Sequence, residues 1–277
     1  MQATERPVIG FLTDFGLDGA AATCRAVMLS ICRDAQIVDI GHTVRKYAIR
    51  DGAYILRTAL PYFPIGVHVA VVDPGVGTDR RPIGISTARG DVLVGPDNGL
   101  LRPAAEVLGG PVEARELTNR ELWLPVISST FHGRDIFAPV AAHLAAGHVA
   151  FSDVGPPLSA TDLARVPDAD VRADSGVLHT EVEYVDSFGN VRLGGGPRDL
   201  RAAFGDLEPG SRLVVVVDGA AAAKIDVTFS PSFGHVAEGQ GVLYLDSSDQ
   251  IAIGANRDDL AARAGVAAGM AARIERG

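Results

Sequence analysis

The sequence is poor in the residues that mark several protein classes. Its 277 residues include only two cysteines, one tryptophan and three methionines. Cys24 and Cys32 are eight positions apart in a segment with a helical pattern. A rise of about 1.5 Å per residue would separate them by about 12 Å, too far for a disulfide. Because the chain also lacks a Cys-x-x-Cys pair, a zinc or redox motif has no support, and we predict two buried thiols.

Runs of like charge and long apolar runs are missing as well. The net charge is −9 with no block of five like charges, which argues against nucleic acid as a partner. The longest apolar stretches, such as Val69–Val72 and Leu213–Val217, are far shorter than the roughly 20 residues of a membrane span. The polar segment Met1–Pro7 lacks the features of a secretory signal. We therefore expect a cytoplasmic protein that does not cross a membrane.

Several common catalytic signatures are also absent. The sequence contains no Gly-Lys-Ser/Thr after a glycine loop, no His-Glu-x-x-His and no Gly-x-Ser-x-Gly. Gly75 and Gly77 form a Gly-x-Gly pair after a strand-like run, but Arg80 stands at the position where a dinucleotide fingerprint requires a third glycine. These absences disfavour P-loop nucleotidases, zinc proteases, Rossmann dehydrogenases and the usual α/β serine hydrolases.

The patterns that are present predict two domains of different class. The first half alternates apolar runs with helical patterns, beginning with a strand at Val8–Leu12 and a helix at Gly19–Ser30. Nearly continuous apolar runs such as Val67–Val72 are typical of parallel strands covered on both faces. We predict an α/β domain with a largely parallel sheet at residues 1–160 and a linker at 161–174. The strand-rich residues 175–277 predict a smaller, all-β, barrel-like domain.

Polar residues follow the predicted strands of the first domain. Asp14 and Asp73 come directly after strand-like runs, Arg80 follows in the second loop, and His132 precedes a helical pattern. The carboxyl ends of parallel strands meet at one edge of a sheet, so these loops are expected to converge on one crevice. A purely structural interpretation is equally open from the pattern alone. In it Asp14 caps a helix, Asp73 starts a turn, Arg80 is solvated and His132 bonds the backbone.

Five motifs make a resemblance specific. In chain order they are Thr13-Asp14-Phe15-Gly16, Val71–Gly77, Pro96-Asp97-Asn98-Gly99, Phe131–Asp135 and Asp186-Ser187-Phe188-Gly189-Asn190. Together they resemble the S-adenosyl-L-methionine (SAM) hydrolase (adenosine-forming) family, also called SAM hydroxide adenosyltransferases, which is related to fluorinase and chlorinase. The resemblance runs from Val8 to about Asn256. It implies an N-terminal α/β domain, a C-terminal β-barrel, and a homotrimer that holds SAM between one subunit's N-terminal domain and a neighbour's C-terminal domain.

The resemblance also implies a reaction and the residues around the nucleophile. Water displaces methionine from C5′ of SAM, which is the substrate, and adenosine is the other product. No cofactor or metal is implied. By motif position Asp73, Arg80 and His132 correspond to the catalytic triad of the family, with Arg80 rather than Arg81 chosen by spacing. Asp14 corresponds to the carboxylate that holds the ribose hydroxyls.

The other substrate contacts are implied by the same resemblance. Phe131 corresponds to an aromatic residue that packs on the sugar or base. Asp186 and Asn190 correspond to residues at the methionine end of SAM. Ser247 corresponds to a serine that meets methionine, and the backbone of Ala255 to a group that recognises adenine.

Three departures from the halogenases favour water as the nucleophile. Gly133 stands at the position of the halide-binding serine, and the polar loop insertion typical of fluorinase is missing after Val67. His132 likewise stands where fluorinase has a tyrosine. Two alternative functions stay open at this stage. One is halide-dependent adenosyl transfer from SAM, as in chlorinase. The other is a SAM- or adenosine-binding module without catalysis.

Overall fold

The computed structural model describes residues 6–219 and 224–277. The chain divides into two compact units, residues 1–166 and 167–277. The predicted linker, residues 161–174, straddles this division. Leu163 is buried in the apolar core of the first unit, and Arg172–Asp174 forms a strand of the second.

The first unit is an α/β domain. Its elements are β1 (Val8–Thr13), α1 (Ala20–Ile31), β2 (Gln36–Gly41), α2 (Ile49–Ala59), β3 (Val67–Val71), β4 (Pro82–Thr87), β5 (Val92–Pro96), α3 (Arg102–Val107), β6 (Pro111–Glu116), α4 (Ala138–Ala145) and β7 (Pro157–Leu158). They form one sheet in the order β2-β1-β3-β5-β4-β6-β7. The first four strands in that order are parallel, and β4, β6 and β7 pair antiparallel. The predicted α/β class is confirmed, with a mixed sheet.

Strand β3 shows why this sheet lies between two layers of helices. All five of its residues are buried. Val69 and Val71 pack in one apolar cluster with α1 and α4, whereas Ala70 packs in another with α2 and α3. Because successive side chains of a strand point to opposite faces, a nearly continuous apolar run is what two helix layers require.

The two cysteines are both buried and free. Cys24 lies in α1, but Cys32 comes just after its last residue, so the single helix expected to contain both ends one residue early. Burial is the main cause that raises the pKa of Cys24 to about 12.

The second unit is a closed barrel. Its elements are β8 (Arg172–Asp174), β9 (Val177–Val185), β10 (Val191–Leu193), α5 (Pro197–Phe204), β11 (Arg212–Val217), β12 (Lys224–Phe229), β13 (Gly241–Leu245), β14 (Ile251–Ala255), α6 (Leu260–Ala264) and β15 (Ala271–Arg276). The ladder runs β10-β14-β13-β12-β11-β15-β9, and β9 pairs with β10 to close seven strands, with β8 beside β9. The predicted barrel-like domain is confirmed.

Alternation along the barrel strands separates two sets of side chains. Val191, Leu243 and Ile253 belong to the main apolar core of the barrel. Tyr244 and Ala252, one position away on the same strands, belong to a separate small cluster on the other face. Within the described ranges, none of the helices combines the length and apolar character needed to cross a bilayer.

Candidate active site

The first unit brings Asp73, Arg80 and His132 into direct contact. Arg80 donates from Nε to Asp73 Oδ1 at 3.2 Å and from Nη2 to Asp73 Oδ2 at 2.5 Å. The same Nη2 lies 3.2 Å from His132 Nδ1. Only 7% of the Arg80 side chain and 5% of the Asp73 side chain are exposed, so the solvated position considered for Arg80 is wrong.

One glycine allows this approach. Asp73 follows β3, and the loop after it runs past the segment that precedes His132. Gly77 in that loop has a φ of +77°, and a Cβ there would overlap the carbonyl oxygen of Ser129. Since only glycine adopts this conformation readily and leaves room for the neighbouring backbone, Gly77 lets the two loops lie side by side. This close approach of the two loops places Arg80 beside His132.

The neighbouring Arg81 has a different partner. It forms a hydrogen-bonded ion pair with Asp97, with its Nε 3.0 Å from Asp97 Oδ2, and it also donates to the carbonyl oxygen of Asp162 at 2.8 Å. Arg80 is therefore the arginine that contacts Asp73 and His132, as the spacing predicted, and Arg81 fastens the loop to the rest of the unit.

The contact with Arg80 fixes the tautomer of His132. A guanidinium has only donors, so His132 Nδ1 must accept, and the proton of the neutral ring is on Nε2. Burial first and the nearby Arg80 charge second hold the pKa of His132 below its ordinary value of 6.5. The ring is therefore neutral at neutral pH.

One nitrogen of the Arg80 guanidinium is not hydrogen-bonded to any described residue. Its Nη1 is buried and has no hydrogen-bond partner among the described residues. Its guanidinium carbon also lies 5.3 Å from the centre of the Phe137 ring. Leaving a buried N–H donor without a hydrogen bond costs free energy. Such a donor can gain a partner when a polar ligand or a water molecule binds beside it. Nη1 can therefore stabilise negative charge on an oxygen placed beside it.

Asp14 is held at the end of β1 by its backbone and one oxygen. Its N–H donates to Val71 O at 3.3 Å, next to the end of β3, and its Oδ2 accepts from the N–H of Tyr47 at 3.0 Å. The other oxygen, Oδ1, accepts no hydrogen bond within the described part of the chain. The residue before α1 is Gly19, which has no side-chain cap, so the helix-capping interpretation of Asp14 is wrong.

Phe131 is half-buried beside His132. Its ring meets Phe15 edge to face with the two ring centres 5.6 Å apart. The Arg134 guanidinium lies 4.8 Å from the centre of the same ring. Phe131 is thus an aromatic wall fixed on two sides, and it is partly accessible.

In the second unit, Asp186 and Asn190 belong to one tightly bonded loop between β9 and β10. Asp186 Oδ1 accepts from the N–H groups of Phe188 and Asn190, at 2.9 and 3.0 Å. Asp186 Oδ2 accepts from Asn190 Nδ2 at 2.9 Å. Asp186 therefore shapes the loop, and the carbonyl oxygen of the Asn190 side chain lies against Gly254.

Arg192 connects this loop to the turn that contains Ser247. It forms an ion pair with Asp246, 2.8 Å from Nε to Oδ2, and its Nη2 lies 3.6 Å from Asp186 Oδ2. It also donates to the hydroxyl of Tyr244 at 3.0 Å. Ser247 itself is exposed in the turn between β13 and β14. Sequence analysis did not select Arg192, although its place between buried Val191 and Leu193 marks it as outward-facing.

A cleft of about 500 Å³ lies on the second unit near the other end of β14. Its walls include Phe188, Asn190, Phe233 and Ala255. Phe188 is 77% exposed although it is a large apolar side chain. Ala255 ends β14, whereas Ser247 precedes that strand, so at about 3.3 Å per residue the two are more than about 13 Å apart. Phe233, in a Pro-Ser-Phe-Gly turn, was missed from the sequence, because nothing local separates it from a packing residue.

Comparison with known proteins agrees with this architecture. The profile of the SAM hydroxide adenosyltransferase N-terminal domain matches residues 9–155, and that of the C-terminal domain matches residues 180–273. The chain belongs to this family. A Salinispora tropica protein named (R)-S-adenosyl-L-methionine hydrolase is 43% identical over 98% of both chains.

Two further proteins extend the comparison. A crystal structure of an uncharacterized conserved protein from Thermotoga maritima has a TM-score of 0.86 at 34% identity, covering 97% of this chain and all of that one. A fluorinase from Nocardia brasiliensis is more distant, at 29% identity over 98% of both chains. The family resemblance expected from the motifs is therefore confirmed, and the greater similarity is to the hydrolase.

Proposed function

We propose that the chain hydrolyses SAM to adenosine and L-methionine. The observation that carries the proposal is the buried contact of Asp73 with Arg80 and of Arg80 with His132. It stands in a chain that belongs to the SAM hydroxide adenosyltransferase family and is 43% identical to a curated SAM hydrolase.

The reaction is an in-line displacement at C5′ of the ribose. The oxygen of one water forms a bond to C5′, the C5′–S bond breaks, and its electron pair goes to sulfur, which leaves as the neutral thioether of methionine. The water loses one proton. The leaving group needs no acid, whereas water is a weak nucleophile because its pKa is near 15.7. Catalysis must therefore act on the water and its position.

Arg80 and His132 have complementary roles toward that water. Nη1 of Arg80 is buried and without a partner in the described chain, so it can donate to the attacking oxygen as negative charge develops. Arg80 itself is always protonated, and Asp73 is ion-paired to it, which leaves the neutral imidazole as the group that takes up a proton near neutral pH. As the water loses its proton, His132 Nδ1 gives up the hydrogen bond from Arg80 and takes up that proton. Asp73 holds the guanidinium in place.

Asp14 provides the acceptor for the ribose. A carboxylate offers two oxygens, and the backbone of Tyr47 engages only Oδ2. The 2′ and 3′ hydroxyls can therefore donate to Asp14 while the Tyr47 contact holds the carboxylate. Phe131 supplies an apolar face beside His132 for the sugar.

The second unit binds the other parts of SAM. The cleft with Phe188, Asn190, Phe233 and Ala255 suits a flat heterocycle, because it combines aromatic faces with a side-chain amide. Because Asn190 lines this cleft, we assign it to the heterocycle and not to the methionine end that the family resemblance implies. The charged group around Asp186, Arg192 and Asp246, next to Ser247, suits the ammonium and carboxylate of methionine.

We further propose a homotrimer in the cytoplasm. In it, one subunit's N-terminal domain and a neighbour's C-terminal domain hold SAM together, as the family resemblance implies. Light scattering of the purified protein tests the trimer, and a monomeric mass with full activity would contradict it.

Product analysis tests the hydrolysis. Purified protein is incubated with SAM at low and at high chloride concentration, and the products are separated by chromatography. SAM binding is measured separately by calorimetry. We expect equal amounts of adenosine and methionine in both conditions. A chlorinated nucleoside would indicate halide-dependent adenosyl transfer, and binding without products would indicate a binding module; either result overturns the proposal.

A further inference from the structure

Phe15 contacts the residues on both sides of His132. Its ring packs edge to face on Phe131, with the ring centres 5.6 Å apart. On the other side, a Cβ placed on Gly133 would lie 2.8 Å from Phe15 Cζ, so the ring fills the space that a side chain at residue 133 would need. Phe15 also follows Asp14 directly in the chain.

The backbone on which Phe15 sits is anchored. Its N–H donates to Thr13 Oγ1 at 3.2 Å, and the N–H of Gly16 donates to the carbonyl oxygen of His42 at 2.7 Å. The ring therefore projects from a fixed loop. A displacement of the ring would be transmitted to the segment that carries His132.

We propose that Phe15 is a positioning residue that sets the distance between the ribose carboxylate, Asp14, and the water-activating His132. The proposal rests on SAM hydrolysis by this chain. In-line attack requires the water and C5′ to be about 3–3.5 Å apart and aligned, and a shift of about 1 Å can cost about 100-fold in rate. Asp14 fixes the sugar and His132 the water, so a spacer between them controls this alignment.

The reason for glycine at residue 133 follows from the same contact. Gly133 does not have the positive φ that would demand glycine, and it lies in the π-helical turn Gly133–Phe137 that leads into α4. In a helical turn alanine is favoured over glycine. The contact with Phe15 is therefore the feature that an alanine at residue 133 would violate.

Reciprocal changes of size test the proposal. The variants are Gly133→Ala, Phe15→Leu and the double variant, with kcat and KM measured for SAM hydrolysis and folding checked by thermal unfolding. We expect Gly133→Ala to lower kcat about 100-fold and Phe15→Leu about tenfold, with KM within about threefold in both. The double variant should recover to about the level of Phe15→Leu, because the smaller side chain makes room for the methyl group.

A matched control uses Phe63→Leu. Phe63 is also half-buried and meets a ring, that of His68, edge to face at 5.8 Å, but it precedes β3 whereas Asp73 follows it. This variant should keep the wild-type kcat. Phe15 would not be the spacer if the fold decrease in kcat of the double variant equalled the product of the decreases in the two single variants. The same would follow if Gly133→Ala kept the full kcat. Absence of hydrolysis in the wild-type protein would refute the proposed function instead.

Discussion

The two candidate regions, one on each unit, differ in how far they are formed before any ligand binds. In the first unit, Asp73 and Arg80 are almost fully buried and already joined to each other and to His132. In the second unit, the cleft is open and its aromatic wall Phe188 is 77% exposed. A preformed charged cluster serves the chemical step, because little reorganisation is then needed in the transition state. An open apolar cleft serves affinity, which is gained when the ligand covers it.

The largest expected effect breaks the preformed cluster. Replacing Arg80 by glutamine removes the unpaired Nη1 donor and leaves the Asp73 carboxylate without its ion pair, and His132→Ala removes the proposed proton acceptor. We expect each to lower kcat about 10²- to 10⁴-fold with a small change in KM. Steady-state kinetics with SAM measure both constants.

Arg81 provides the matched control for this prediction. It is the next residue and forms a similar ion pair, with Asp97 instead of Asp73. Arg81→Gln should change kcat by no more than about threefold. Equal losses from Arg80→Gln and Arg81→Gln would show that the cluster acts only through stability.

The next effect concerns the open cleft. Phe188→Ala removes an exposed ring that a bound base would cover, so it should raise KM about tenfold and leave kcat within about twofold. Tyr62→Ala is the control, because Tyr62 is 80% exposed but lies in the first unit and outside the proposed site. If Phe188→Ala lowered kcat and left KM unchanged, the proposal that the open cleft contributes to substrate affinity and not to the chemical step would be wrong.

A smaller effect is expected in the pH dependence. Burial and the Arg80 charge lower the pKa of His132, so the acid limb of kcat/KM should lie below 6.5. Hydrolysis should persist as the pH falls through 6.5 and decline only at lower pH. The same shift contributes stability above pH 6.5 that is lost as the pH falls below it, because the unfolded chain binds the proton first. An acid limb above 6.5 would contradict this environment for His132.

The smallest effect is expected from removal of metal ions. Because the proposed mechanism uses only Asp73, Arg80 and His132, treatment with EDTA followed by gel filtration should change kcat by less than about twofold. Loss of activity that added Mg²⁺ or Zn²⁺ restores would mean that a metal ion activates the water.

Strand and helix patterns predicted most of the fold because burial on two faces leaves a clear signal. β1 and α1 were found within a few residues for this reason. β15 gives no such signal, since three of the six residues of Ala271–Arg276 are charged and only two of its side chains are buried. β4 pairs antiparallel, which a local pattern cannot show, because the partner of a strand is set by distant residues.

The site was predicted unevenly for a related reason. Spacing selected Arg80 over Arg81, and the ion pairs agree with that choice. Asp186 was selected by its motif, but its oxygens already accept three hydrogen bonds from its own loop, which no sequence pattern reveals. Phe233 and Arg192 were missed because their proposed roles depend on the face of the barrel that each occupies. That face is set by the closed ladder of strands and could not be deduced locally.

The most direct test of the central claim follows the oxygen atom. Hydrolysis of SAM by the purified protein is run in ¹⁸O-labelled water and the nucleoside product is analysed by mass spectrometry, with Arg80→Gln in parallel. The account predicts adenosine carrying one ¹⁸O at its 5′ oxygen, formed about 10²- to 10⁴-fold more slowly by the variant. Adenosine without the label, or equal rates for both proteins, would contradict attack on C5′ by a water that this cluster activates.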